Sequence, residues 1–151
     1  MPNVFVKIPE GIFTKSQIDQ IGTGITKAAN AAEGIPDNPE NQRLTWILVE
    51  EVASSQIYIG GNQVVPHAIP VIVQFHAPEG VLDADRRKIA AEKVHAAILD
   101  AVDADLHPRI ASSCMMADVP EGHWGGNGAI MTLNKIAAVV GYTHLTDRQA
   151  S

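Results

Sequence analysis

The chain has 151 residues, 46% hydrophobic and 19% charged, which is the composition of a folded globular protein able to bury a core and not of a disordered segment. Seventeen acidic against 11 basic residues give a formal charge of -6 with no basic run, which argues against a nucleic-acid partner, and no apolar stretch is long enough to span a bilayer. One cysteine, Cys114, cannot form an internal disulfide; with no signal-peptide pattern, the expected location is cytoplasmic.

Val4, Val6 and Ile8 alternate with Phe5 and Lys7, the period of a strand, and Pro9-Glu10-Gly11 ends it. Thr14 and Gln17 have capping-box spacing. Ile18, Ile21, Ile25, Ala28 and Ala29 then recur at helical spacing up to Gly34, predicting a helix from about Lys15 to Glu33. Pro36 and Pro39 forbid its continuation. The β-branched and aromatic run Arg43–Val52 predicts a second strand, and Gly60-Gly61 closes the unit.

The same order then repeats. Val71–Ala77 reads as a strand followed by Pro78-Glu79-Gly80, the tripeptide already seen at Pro9. Asp83 caps a second predicted helix lined by Ala90, Val94, Ala97, Ile98 and Ala101, and a fourth strand runs from about Ile110 to Val119. Its Asp118-Val119 ending echoes Glu51-Val52. The expected organisation is a first β-α-β repeat over 1–62, a second over 63–130 and a C-terminal tail over 131–151 packing at a subunit boundary, all in one compact domain. The fold class is α/β, or α+β by some schemes: two tandem β-α-β units form a four-stranded sheet with both helices on one face. The uncovered face calls for oligomerisation.

Pro2 follows the initiator methionine. If Met1 is removed, the Pro2 nitrogen becomes a secondary amine. A free α-amino group titrates at roughly 7.7 to 8.0, and an apolar pocket lowers that value, so Pro2 is a candidate general base for moving a proton beside a carbonyl. Retention of Met1 would leave Pro2 without a free amine.

The Met-Pro start, the strand closing in Glu-Gly, the helix, the acidic-valine strand ending and the turn Val119–Gly128 with its Gly122-His123-Trp124-Gly125 resemble the tautomerase superfamily, typified by 4-oxalocrotonate tautomerase. The resemblance spans nearly the whole chain, twice. It implies a fused two-repeat, tautomerase/MIF-like member similar in length to cis-3-chloroacrylic acid dehalogenase, with Pro2 as the catalytic residue, one active site per subunit and a homotrimeric assembly. It also implies that the turn aromatic, Trp124 here and Ile57 in the first repeat, lines the proline's pocket. The family's usual arginines are missing: Ile12 and Val81 follow the Glu-Gly turns, and Trp46 and Ser113 stand at the second arginine position. The dehalogenase's helix histidine aligns near Ala29.

Strand parity adds Ser113, Met115 and His76 as cavity-facing candidates, and Arg43 and Arg109 at the starts of the second strands are candidate carboxylate clamps. Cys114 reads as an inert core thiol, since no base lies beside it in sequence. The six histidines show no metal-site spacing, and no cofactor is called for. The expected function is a tautomerase-type isomerase acting on a small carbonyl compound through Pro2, without the arginines a dicarboxylate would need. The alternatives are a hydratase or dehalogenase with Pro2 as general acid, and a catalytically silent trimeric binding protein.

Overall fold

The structure, a computed structural model, describes residues 1–145. Its elements are β1 (Asn3–Pro9), α1 (Lys15–Glu33), α2 (Pro39–Gln42), β2 (Trp46–Val52), β3 (Tyr58–Ile59), β4 (Asn62–Gln63), β5 (Ile69–Pro78), α3 (Ala84–Asp100), β6 (Ile110–Val119), β7 (Gly125–Gly126), β8 (Ala129–Ile130) and α4 (Leu133–Val140), with 3-10 turns at Ser54–Gln56 and His107–Arg109. The two β-α-β units form a four-stranded sheet of order β2-β1-β5-β6. Within each unit the strands are parallel, Asn3 opposite Trp46 and Ile69 opposite Ile110; the units meet antiparallel, with Asn3 opposite His76.

Period-two alternation decides which face is covered. Val4, Val6, Ile8, Val71, Val73 and Phe75 point into the core and meet Ile21, Ile25 and Ala29 of α1 and Ala90, Val94 and Ile98 of α3. Burying each of the larger aliphatic side chains contributes roughly 1.5–3 kcal/mol. The two helices approach closely where small residues face each other: a Cβ built on Gly24 would stand 3.0 Å from the Ala97 Cβ. The opposite sheet face leaves Phe5, Trp46, Leu48, Ile72 and Met115 substantially exposed.

α1 starts at the expected capping box, with the Thr14 hydroxyl accepting from the Gln17 N–H and the Gln17 side chain accepting from the Thr14 N–H. It ends at Gly34, whose φ of 66° is left-handed. The second strand begins at Trp46 and not at Arg43, because the Asn38 side chain accepts from the Asn41 N–H and starts a short turn of helix with Pro39 in its first turn. Each unit ends in a two-residue hairpin whose turn residues both have positive φ: Gly60 and Gly61 in one, Asn127 and Gly128 in the other.

The tail folds as a short helix capped by Thr132, and it docks on its own chain. Ile136, Val140 and Tyr142 enter the core, while Val139 stays 57% exposed.

Candidate active site

Three local features converge where β1 begins. First, the Trp46 N–H donates to the Pro2 carbonyl at 3.1 Å, seating the start of the chain against β2. Second, the helical repeat that buries Ile25 and Ala29 places Glu33 one turn further along the same apolar face. Third, Gly34 stops α1 and receives the tail: its carbonyl accepts from the Thr143 N–H at 3.0 Å and the Thr143 hydroxyl at 3.2 Å. A Cβ at position 34 would lie 2.8 Å from His144 Nδ1 and 3.0 Å from both Arg86 Nη1 and Thr143 Oγ1. Glycine is therefore what lets the tail lie against the helix end, bringing Tyr142 to Glu33.

The N-terminal amine closes the cluster. The Met1 nitrogen donates to Glu33 Oε2 and to the Tyr142 hydroxyl, each at 2.5 Å. Glu33 is 0% exposed and Tyr142 1% exposed, whereas the Met1 side chain keeps 23% of its surface in solvent. Burial pulls the amine below its ordinary range against the attraction of Glu33. Burial also pushes the Glu33 carboxyl up against the amine and the Tyr142 hydrogen bond, and it pushes the Tyr142 phenol up with the help of Glu33. Burial disfavours charge on all three groups, and for the amine and Glu33 their mutual attraction opposes it.

Other polar atoms border this place. Asn30, one turn before Glu33 on α1, is buried, and its Oδ1 accepts from the Thr45 hydroxyl. Asn30 Nδ2 and Glu33 Oε1 are both buried with no hydrogen-bond partner. An unmade hydrogen bond of this kind costs about 1–3 kcal/mol, so each such group calls for a structural or functional reason.

Of the residues named from the sequence, Pro2 is buried beside this cluster. Trp124 and His76 come together elsewhere. With Asn3, Phe5, Val119, His123 and Gly125 they line a cavity of about 260 Å³, and the Phe5 and His76 rings meet edge-on at 5.7 Å. Asn3, Phe5 and His76 alternate with core residues, so this cavity opens on the sheet face away from the helices. Ser113 and Met115 are exposed on that same outer face. Arg43 is exposed just before β2, near the start of β1. Arg109 lies at the opposite end of the sheet, donating to the Pro66 carbonyl at 3.2 Å. Within one chain, then, none of Trp124, Ser113, Met115, His76 or Arg109 is among the groups bonded to the amine.

The two side chains that do hold the amine, Glu33 and Tyr142, were not singled out from the sequence. Glu33 had a signal: a carboxylate in register with Ile21, Ile25 and Ala29 on an apolar helix face. Tyr142 had none, because its place depends on how the tail docks. Cys114 is half-buried and its thiol is pushed up by burial to about 11. Among the described residues no three His, Cys, Asp or Glu side chains group as a metal site, and no helix is long and apolar enough to cross a membrane.

No protein-family model and no curated protein sequence matches the chain. Solved structures do. An asymmetric trimer of wild-type fused 4-OT matches with a TM-score of 0.68 at 21% identity, over 85% of this chain and 94% of that one. N1, a member of the cis-3-chloroacrylic acid dehalogenase (cis-CaaD) family, matches with a TM-score of 0.64 at 10% identity, over 85% and 82%. Toxoplasma gondii macrophage migration inhibitory factor matches with a TM-score of 0.60 at 16% identity, over 85% and 99%. The fold is that of the fused tautomerases and of the MIF-like proteins.

Proposed function

We propose that this protein is a tautomerase-type isomerase in which the Pro2 nitrogen, freed by removal of Met1, moves a proton between carbon and oxygen of a small carbonyl compound. The observation that carries this reading is the burial of the chain's amino terminus among Glu33, Tyr142 and the core. Burial that lowers an amine from its ordinary range favours the free base that general-base catalysis uses. Pro2 is one residue along the chain from the observed amine and is itself buried. The fold supports the reading by analogy.

Water addition or dehalogenation would need an ionised carboxylate to activate water. Burial favours the protonated form of Glu33, which suits donation to a substrate oxygen better. The working unit is proposed to be a homotrimer, in which the apolar stripe of Phe5, Trp46, Leu48, Ile72 and Met115 is covered by neighbouring subunits. Fused 4-OT structures are themselves described as trimers.

Intact mass first establishes whether Met1 is absent. Ketonisation of phenylenolpyruvate by the processed chain and by Pro2→Ala then tests the base. The expected result is a loss of about 100-fold or more in kcat. Equal rates for the two chains would remove Pro2 from the mechanism.

A further inference from the structure

We infer that Glu33, with Tyr142 beside it, is the second catalytic group of the site: a carboxyl that exchanges a proton with the substrate's carbonyl oxygen while Pro2 exchanges one with carbon. This rests on the proposed tautomerase reading and adds a residue that the family resemblance did not supply.

The geometry starts from Met1. Its nitrogen stands within hydrogen-bond distance of both Glu33 Oε2 and the Tyr142 hydroxyl. The Pro2 nitrogen lies at most about 3.6 Å further along the backbone. Removing Met1 leaves a space the size of one residue, with the new amine on one side and the carboxyl and phenol on the other. The Met1 nitrogen marks where a substrate's polar atom would sit, and the partly exposed Met1 side chain marks the path by which it enters. Glu33 Oε1 and, one turn earlier on α1, Asn30 Nδ2 have no hydrogen-bond partner, although both side chains are more than nine-tenths buried. A carbonyl substrate would supply one.

The step balances with no co-reactant. In enolisation the neutral Pro2 nitrogen takes the α-proton; the C–H pair becomes the C=C bond, and the C=O π pair moves to oxygen. That oxygen takes the proton of the Glu33 carboxyl and becomes the enol hydroxyl. The site is left with a Pro2 ammonium and a Glu33 carboxylate, the kind of ion pair that the amino terminus and Glu33 form here. Transfer of one proton from nitrogen to carboxylate resets it, and ketonisation is the same sequence reversed. Tyr142 donates to whichever oxygen is negative at that moment. The ligand class is an enolisable ketone or aldehyde whose oxygen accepts two hydrogen bonds, with no guanidinium needed to polarise it.

The test compares processed wild type, Glu33→Gln, Glu33→Asp, Tyr142→Phe and Pro2→Ala in phenylenolpyruvate ketonisation across pH. Glu33→Gln should lower kcat by about 100-fold or more with KM little changed. It should also lose the acid limb of the pH profile, because the carboxylate that accepts the enol proton is gone, while the alkaline limb set by the amine persists. Glu33→Asp should recover part of the rate. Tyr142→Phe should lower kcat about 10-fold, and it decides the matter if Glu33→Gln fails to fold. Wild-type rates and an unchanged pH profile in the Glu33→Gln and Tyr142→Phe chains, with Pro2→Ala impaired, would overturn this inference and leave the tautomerase reading standing. No turnover by processed wild type would overturn both.

Discussion

Both repeats close their second strand in the same way: the Glu10 N–H donates to the Val52 carbonyl at 2.8 Å, and the Glu79 N–H donates to the Val119 carbonyl at 2.9 Å. They part at the far ends of their helices. Aligned on the two Pro-Glu-Gly turns, the buried pair Asn30 and Glu33 of the first repeat corresponds to Leu99 and Val102 of the second. α1 stops at a left-handed glycine that receives the tail, whereas the Leu99 carbonyl near the end of α3 is bonded by His107 Nε2 at 2.9 Å. The second repeat also opens in mid-chain, so its first strand brings no amine. A buried carboxylate there would have no cation to meet, and valine is the residue that such a site tolerates. One frame thus carries a polar end and an apolar end, and the free amine makes the difference.

That contrast can be broken deliberately. The largest effect is expected from acylating the processed amino terminus, which should lower turnover by about 1000-fold or more, whereas Pro70→Ala in the second repeat should leave it within about twofold; both are read by phenylenolpyruvate ketonisation. Val102→Glu copies the first repeat's carboxylate into the end without an amine, and it should cost about 3 kcal/mol or more in urea unfolding. Gly34→Ala forces a side chain into left-handed backbone and against His144, Arg86 and Thr143. It should cost about 2 kcal/mol in the same experiment, and it should lower activity by displacing Tyr142.

A chemical rather than a functional effect concerns Cys114, on the second repeat's second long strand. Burial pushes its thiol from about 9, the ordinary value, up to about 11 in the folded chain. Iodoacetamide should therefore modify the folded chain about 100-fold more slowly than the unfolded chain at pH 8, measured by mass. The folded state holds this proton more tightly, so its contribution to stability is present below about pH 9 and declines as pH rises toward 11. Replacing Cys114 with alanine should flatten that slope.

Much of the frame was legible in local pattern. The capping box and apolar spacing bracket α1 from Lys15 to Glu33, and the run from Ile110 to Val119 forms β6 with the same bounds. Strand parity also brings His76 to the outer face, where Trp124 joins it. What local pattern misjudged has local causes too: Asn38 side-chain capping competes with the start of β2, delaying it to Trp46. The site was less legible. Pro2 could be named because its chemistry depends only on being second in the chain, but nothing in the neighbourhood of Glu33 in the sequence says that the tail covers it.

The order strand, helix, strand, twice, follows from the sequence by itself, because periodicity and caps are properties of neighbouring residues and decide which face of each element sheds water. The partners of the amino terminus were decided only by the tertiary structure. Glu33 and Tyr142 lie 32 and 141 residues from Met1 in the chain, and each reaches it because a different apolar surface, the face of α1 in one case and the seat of the tail in the other, was buried. A charge or phenol becomes reactive through the water it loses, and that loss is set by what folds over it.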